Sequence, residues 1–268
     1  MSINSTIELA EAIPASAITT PAEHLSARYA HITTTEIVQP LLASGWYIDS
    51  YLVKKSGDAA HAGHGLRLAR REDDGRSGER PQIVVRNGSN GDTSLQMSAG
   101  IYRAACANRL VVGADMFNVR IAHRGANLQA RAVAAMEQIV ARLPELDDTV
   151  RRWQGIQMER DRRIEFAQRA AALRWDLGVD LSVNTDDLLK IRRSEDIAPD
   201  LWTVFNRVQE SVVRGGVRVT KRVNQEPIWS IGPRFTTETR RARPVNQIEA
   251  NLTLNSRLWN LAAEYSTN

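Results

Sequence analysis

The chain has 268 residues, 43% hydrophobic and 25% charged, a balance suited to a soluble protein that buries a core. No twenty-residue apolar span stands in it, and the opening MSINSTIELAEAIPAS lacks the basic flank and unbroken apolar stretch of a signal peptide, so a cytoplasmic protein with no membrane partner is expected. The lone cysteine, Cys106, excludes an internal disulfide, and a net charge of +4 is too small to require nucleic acid by itself.

Residues 1 to 27 have weak periodicity, interrupted by Pro14 and Pro21, and read as a flexible arm. A single α+β domain is expected over 28–268, sheet-rich to 125 and helical from 126. The body opens on TTTEIVQPLLASG, where Thr33 and Glu36 have capping-box spacing and Gly45 is a stop. From Trp46 the period switches to two, which predicts a strand; GHGLRLARR and RPQIVVRN predict two more. The loop between those two carries Glu72, Asp73 and Asp74, read as a solvated tip and not a metal site.

NGSNGD then joins one strand to the next, with Thr93, Leu95, Met97 and Ala99 alternating onto one face of a half-buried hairpin. The small residues after Gly100 suit a bend or short helix, and RLVVGADMFNVRIAH continues an antiparallel sheet.

The second half is predicted helical. GANLQARAVAAMEQIVARL forms a helix halted by Pro144, and a longer one is expected from about Glu145 to Leu177, its alternating charges facing solvent. Asn184 or Thr185 caps NTDDLLKI, and Pro199 opens PDLWTVFNRVQESVV, whose apolar stripe reads as core and ends at Gly215 and Gly216. A final helix holds Ile248, Leu252, Leu258 and Trp259.

Between these last two helices, Arg214 to Arg243 holds eight basic residues against the acidic Glu226 and Glu238. VRVTKRV alternates as an extended hairpin arm would, with its basic side chains expected on one side, while Trp229 and Phe235 offer aromatic faces. That pairing suits a groove that tracks a phosphate backbone and stacks bases. A solvent-exposed hairpin with two packed aromatics explains the same residues. Only four of the thirty-five basic residues are lysines, and arginine is the better bidentate phosphate partner, although a GC-rich genome gives the same bias.

Catalytic patterns are missing. There is no phosphate-binding GxxxxGK[ST] loop, no serine elbow and no HExxH. His61 and His64 have the spacing of metal ligands without a third partner, and Asp186 and Asp187 sit at a helix start, where negative charge complements the backbone dipole. No catalytic residue, metal ligand or cofactor is therefore assigned. A nuclease built from distant carboxylates stays open as an alternative.

Four stretches together resemble a domain-of-unknown-function family of phage- and plasmid-like proteins from bacterial mobile elements. They are the polar turn Asn87–Ser94, the run Gly100–Val111 with Arg103, Cys106 and Asn108, the LWTVFNRVQE helix Leu201–Glu210, and LNSRLW over Leu254–Trp259. Arg109 departs from the pattern, which has glycine there. The order of helix and strands is distantly similar to single-strand annealing proteins of the Rad and Redβ kind.

The resemblance implies a non-enzymatic protein that binds single-stranded DNA, or RNA, and promotes annealing or recombination as a homo-oligomer. Arg103, Arg109 and Arg120 would meet phosphate from the sheet. Arg218, Lys221, Arg222, Arg240, Arg241 and Arg243 would do so from the arm. The alternative is a mobile-element effector that binds a host protein through apolar patches around Trp153, Trp175 or Trp229.

Overall fold

The computed structural model describes residues 2–54, 58–73, 79–103, 111–112, 118–228, 232–245 and 248–267. Two compact units divide the chain, Met1–Arg103 with Leu110–Asp147, and Ala104–Arg109 with Asp148–Asn268. The architecture is α+β, with an antiparallel sheet in the N-terminal half and helices in the C-terminal half.

The first unit contains α1 (Thr6–Ala12), α2 (Thr34–Ala43), β1 (Trp46–Val53), β2 (His64–Arg70), β3 (Glu79–Asn87), β4 (Leu95–Arg103), β5 (Val111–Val112), β6 (Asn118–Ile121) and α3 (Leu128–Ala141). The strands lie in the order β1-β2-β3-β4, and both β5 and β6 pair with β4. Alternation decides which face is buried: Leu66, Leu68, Ile83, Val85, Leu95, Met97, Ala99 and Ile101 are each at most 1% exposed. Each large apolar side chain buried this way contributes about 2 kcal/mol. Helix α2 packs on β1, and α3 packs on β4 and β6.

Helix α2 begins as its spacing predicts. Thr33 Oγ1 accepts from the Glu36 amide at 3.2 Å, and Glu36 Oε2 accepts from the Thr33 amide at 3.4 Å. Where an arm was expected, α1 buries Leu9, and Ile3 exchanges backbone hydrogen bonds with Ile48 of β1 at 3.0 and 2.8 Å. Asp73 corrects the reading of a solvated acidic tip. It is 1% exposed and accepts from Arg70 Nε at 2.9 Å, because a short 3-10 turn folds it back under β2.

The polar turn between β3 and β4 is an anchor. Asn87 Nδ2 donates to Ile32 O at 3.1 Å and Thr34 Oγ1 at 3.0 Å, and Thr34 Oγ1 also hydrogen bonds to His64 Nε2 at 2.7 Å. Tyr29 OH donates to Gly88 O at 3.1 Å. The Tyr29 ring stacks on His123 at 5.0 Å, and burial pushes its phenol up to about 12. The segment before α2 is thereby tied over the turn.

Helix α4 (Leu143–Gly155) carries the chain into the second unit, with Pro144 tolerated in its first turn. The long helix expected to Leu177 is broken: α5 (Arg160–Ala172) is separate. Its interruption has a backbone cause, since Met158 N bonds Pro199 O and Leu201 N bonds Ile156 O, pairing that a continuous helix would forbid.

Next come β7 (Leu181–Val183), the short α6 (Thr185–Leu188) and α7 (Leu201–Arg214). Asn184 caps α6 and Asp200 caps α7, so Pro199 precedes the cap instead of opening the helix. Every residue of α7 from Leu201 to Val213 is buried, because α5, α6 and α8 (Ile248–Thr267) cover it on different sides. Trp153 lies 4.4 Å from Trp259 and 5.6 Å from Phe205, ring to ring, and Gln209 Nε2 donates to Asn255 Oδ1 at 2.6 Å. The motif residues of LWTVFNRVQE and LNSRLW are thus partners in one helix-helix core. Among the described residues no helix is long and apolar enough to cross a membrane.

Candidate nucleic-acid interface

The basic stretch folds as β8 (Arg218–Ile228) and β9 (Gly232–Arg241), an antiparallel ribbon to which β7 adds a third strand only at the foot, opposite Val219 to Lys221. Alternation of Thr and Val with basic residues is what makes it a strand pair. The foot is buried and the blade is open: Val217 and Val219 are 1% and 3% exposed, whereas β9 is exposed from Phe235 through Arg241.

Several contacts fix the foot. The Asp187 carboxylate accepts from Arg218 Nε at 2.9 Å, Nη2 at 3.0 Å and the Arg218 amide at 2.8 Å. Hydrogen bonding from Arg218 holds that carboxyl below its ordinary range, against the opposing effect of burial. Arg241 Nη1 donates to Gly216 O at 2.9 Å, and Arg174 donates to Val212 O and Arg243 O. Gly215, at φ +79°, passes so close to the returning strand that a Cβ would stand 2.5 Å from Ala242 O. Only glycine fits there.

On the blade, directly opposed residues share a face. Arg218, Thr220 and Arg222 lie opposite Arg241, Thr239 and Thr237; Val219 and Lys221 lie opposite Arg240 and Glu238 on the other face. The expected one-sided basic strip is therefore corrected. Lys221 and Arg222 are neighbours in sequence, and a period of two sends them to opposite faces. On Arg222's face its guanidinium carbon sits 3.5 Å from the Phe235 ring centroid, and Phe235 is 54% exposed. In this cation-π pair the ring is the exposed member, while Arg222 is half-buried with its Nε inside.

The nine sequence-predicted residues separate into groups. Lys221, Arg240 and Arg243 are exposed, and no carboxylate among the described residues pairs with them. Arg222 lies on Phe235, Arg241 bonds Gly216 O, and Arg218 is occupied by Asp187. Arg120 belongs to the first unit, on β6, and its Nε donates to Ser94 Oγ at 2.9 Å. Arg109 lies outside the described residues, as do Cys106 and Trp229; Arg103 ends β4 opposite Glu79, with its side chain outside the description.

Sequence reasoning missed the Asp187 clamp and the Arg174 brace. No local pattern could reveal them, because the partners are 31, 38 and 69 residues apart. Trp153, considered for a protein-binding patch, is 1% exposed inside the aromatic cluster, and half-buried Trp175 is covered by Arg174 at 4.7 Å. His61 pairs with Asp58 at 2.6 Å while His64 faces Thr34, so the two do not share a centre. Among the described residues no group of three or more His, Cys, Asp or Glu could hold a metal ion.

Comparison with known proteins places this arrangement in context. The family described as "Domain of unknown function (DUF932)" matches residues 21–259. The chain is also similar to the UPF0380 protein YafZ and the UPF0380 protein YfjQ, both of Escherichia coli (strain K12). Each is 28% identical over 244 residues, covering 90% of this chain and 83% of the relative. No solved structure matches the chain significantly. With the family match spanning both the sheet and the ribbon, the chain belongs to the DUF932 family.

Proposed function

We propose that this protein binds single-stranded nucleic acid along the β8–β9 ribbon and promotes the pairing of complementary strands, with no catalytic step. The observation that carries the reading is the Arg222–Phe235 pair on an open blade, with Lys221, Arg240 and Arg243 exposed nearby in sequence and register. A guanidinium laid on an aromatic ring offers charge for phosphate and a flat surface for a base. Two cationic faces let one strand follow each side of the ribbon, a geometry suited to bringing strands together. Arg103, Arg109 and Arg120 are phosphate contacts independent of the ribbon in this reading, Arg218 serves the foot, and several copies act together in the bacterial cytoplasm on the nucleic acid of a mobile element.

Fluorescence anisotropy with a labelled single-stranded oligonucleotide at two salt concentrations tests it. Contact of the four ribbon cations with about four phosphates gives a log–log salt slope of about −3. Absence of binding at low salt removes the proposal, and magnesium-dependent loss of the oligonucleotide would favour a nuclease instead.

A further inference from the structure

The outer edge of the ribbon takes no part in the nucleic-acid reading. Strand β9 ends the β7-β8-β9 sheet, and its run FTTETRR, residues 235–241, is exposed throughout and holds neither proline nor glycine. Edge strands that stay single are usually short, bulged or interrupted by proline. This one carries three threonines and a phenylalanine, residues that favour extended pairing.

The ladder settles which backbone groups face outward. Arg218 O accepts from Asn184 N and Arg222 N donates to Asp180 O, so the backbone of both residues turns to the side of β7. Between and beside them, Val219 and Lys221 turn to β9, opposite Arg240 and Glu238, and Ala242 N likewise donates to Val217 O. Alternation then leaves the amides and carbonyls of Phe235, Thr237, Thr239 and Arg241 pointing away from β8.

Charge follows the same pattern. Glu238 and Arg240 flank Thr239 on one face of the blade; both are exposed, and among the described residues neither is held in an ion pair. When a second copy is laid antiparallel along this edge with the two-fold axis at Thr239, Thr239 meets Thr239, Thr237 meets Arg241, and each Glu238 meets the other copy's Arg240. Among registers centred on residues 237 to 241, this one alone sets the carboxylate against a cation. A centre at Glu238 opposes two carboxylates, and a centre at Arg240 opposes two guanidinium groups.

We propose that β9 is a self-pairing edge that joins the ribbons of two copies of this chain into one continuous sheet. The outward residues Thr237, Thr239 and Arg241 exchange backbone hydrogen bonds across the axis, and Glu238 and Arg240 fix the register. Both faces of the blade stay open, the exposed Phe235 ring included. The proposal names the interface for the several copies of the nucleic-acid reading and rests on that reading only for what the joined sheet binds. Assembly is measured without nucleic acid, so each can fail alone.

Sedimentation velocity of the full chain over a wide concentration series is the test. The parent is expected to pass from monomer to dimer as concentration rises. Arg240→Glu sets two carboxylates against each other and Glu238→Arg sets two guanidinium groups, so each variant is expected to weaken the dimer at least tenfold. An equal mixture of the two restores opposite charge at both places and is expected to form a mixed dimer as tight as the parent's. Thr239→Pro removes an outward amide without taking a bond between β8 and β9, and is expected to stay monomeric. Thr239→Val loses the same hydroxyl contact with Thr220 but keeps the amide, and is expected to pair as the parent does. Melting midpoints check that each variant is folded. Should Glu238→Arg, which stands opposite Lys221, fail to fold, Arg240→Glu and Thr239→Pro decide. A parent that is monomeric at every concentration, an assembly that survives both Arg240→Glu and Thr239→Pro, or a mixture that does not recover the dimer overturns the proposal.

Discussion

Two hairpins built from similar alternating sequence have opposite fates. The β3–β4 hairpin sinks one face into the first unit's core, and its polar turn is tied down through Asn87 to Ile32 and Thr34. The β8–β9 hairpin buries only its foot and leaves the blade exposed. Burial follows which residue type alternates. Leu95, Met97, Ala99 and Ile101 fill one side of β4, whereas the blade of β9 offers Thr237, Thr239 and Arg241 on one face and Glu238 and Arg240 on the other. An apolar alternation is drawn into a core, and a polar one stays in solvent.

Substitutions break this comparison in a graded way. Gly215→Ala at the ribbon's foot should be the most damaging, about 3 kcal/mol by urea denaturation, from backbone strain at φ +79° and collision with Ala242 O. Asn87→Ala in the first hairpin leaves the buried Ile32 carbonyl and Thr34 hydroxyl short of a donor and should cost about 2 kcal/mol by the same measurement.

Acid should act on the first unit as well. Burial lowers the pKa of both His64 and His123 from 6.5, so the unfolded chain binds protons that the folded one refuses. Their contribution is complete above about pH 6.5 and is lost as pH falls from there towards the depressed folded values. A urea midpoint followed from pH 7.5 to pH 5 should drop, and replacing His123 by Phe should flatten part of the drop.

The blade should behave in the reverse manner. Phe235→Ala should change stability by about 0.5 kcal/mol or less, yet weaken single-strand binding about tenfold in anisotropy titrations. The smallest effect belongs to Lys221→Ala, which should reduce the salt slope by about 0.7 while leaving the melting curve in place.

Much of the local structure was legible beforehand. The Thr33–Glu36 box, the strands β1 to β4, the apolar core of α7 and its glycine stop each depend on neighbours within one turn or one pleat, so spacing was enough. The break between α4 and α5 was not, because it is imposed by backbone pairing with residues 199–201. Nor was the burial of Asp73, which depends on a turn geometry that its charge argues against. At the ribbon, composition pointed to the residues, but adjacency in sequence obscured their distribution over two faces, and the capture of Arg218 by Asp187 was decided by tertiary folding.

The braced foot has one more consequence. Strands of eleven and ten residues rise from a base held by Asp187, Arg174 and the close pass at Gly215, so their direction is settled when the second unit folds. The contacts at the foot thus set where the two strands leave the second unit. Their starting direction costs no further chain entropy once that unit has folded.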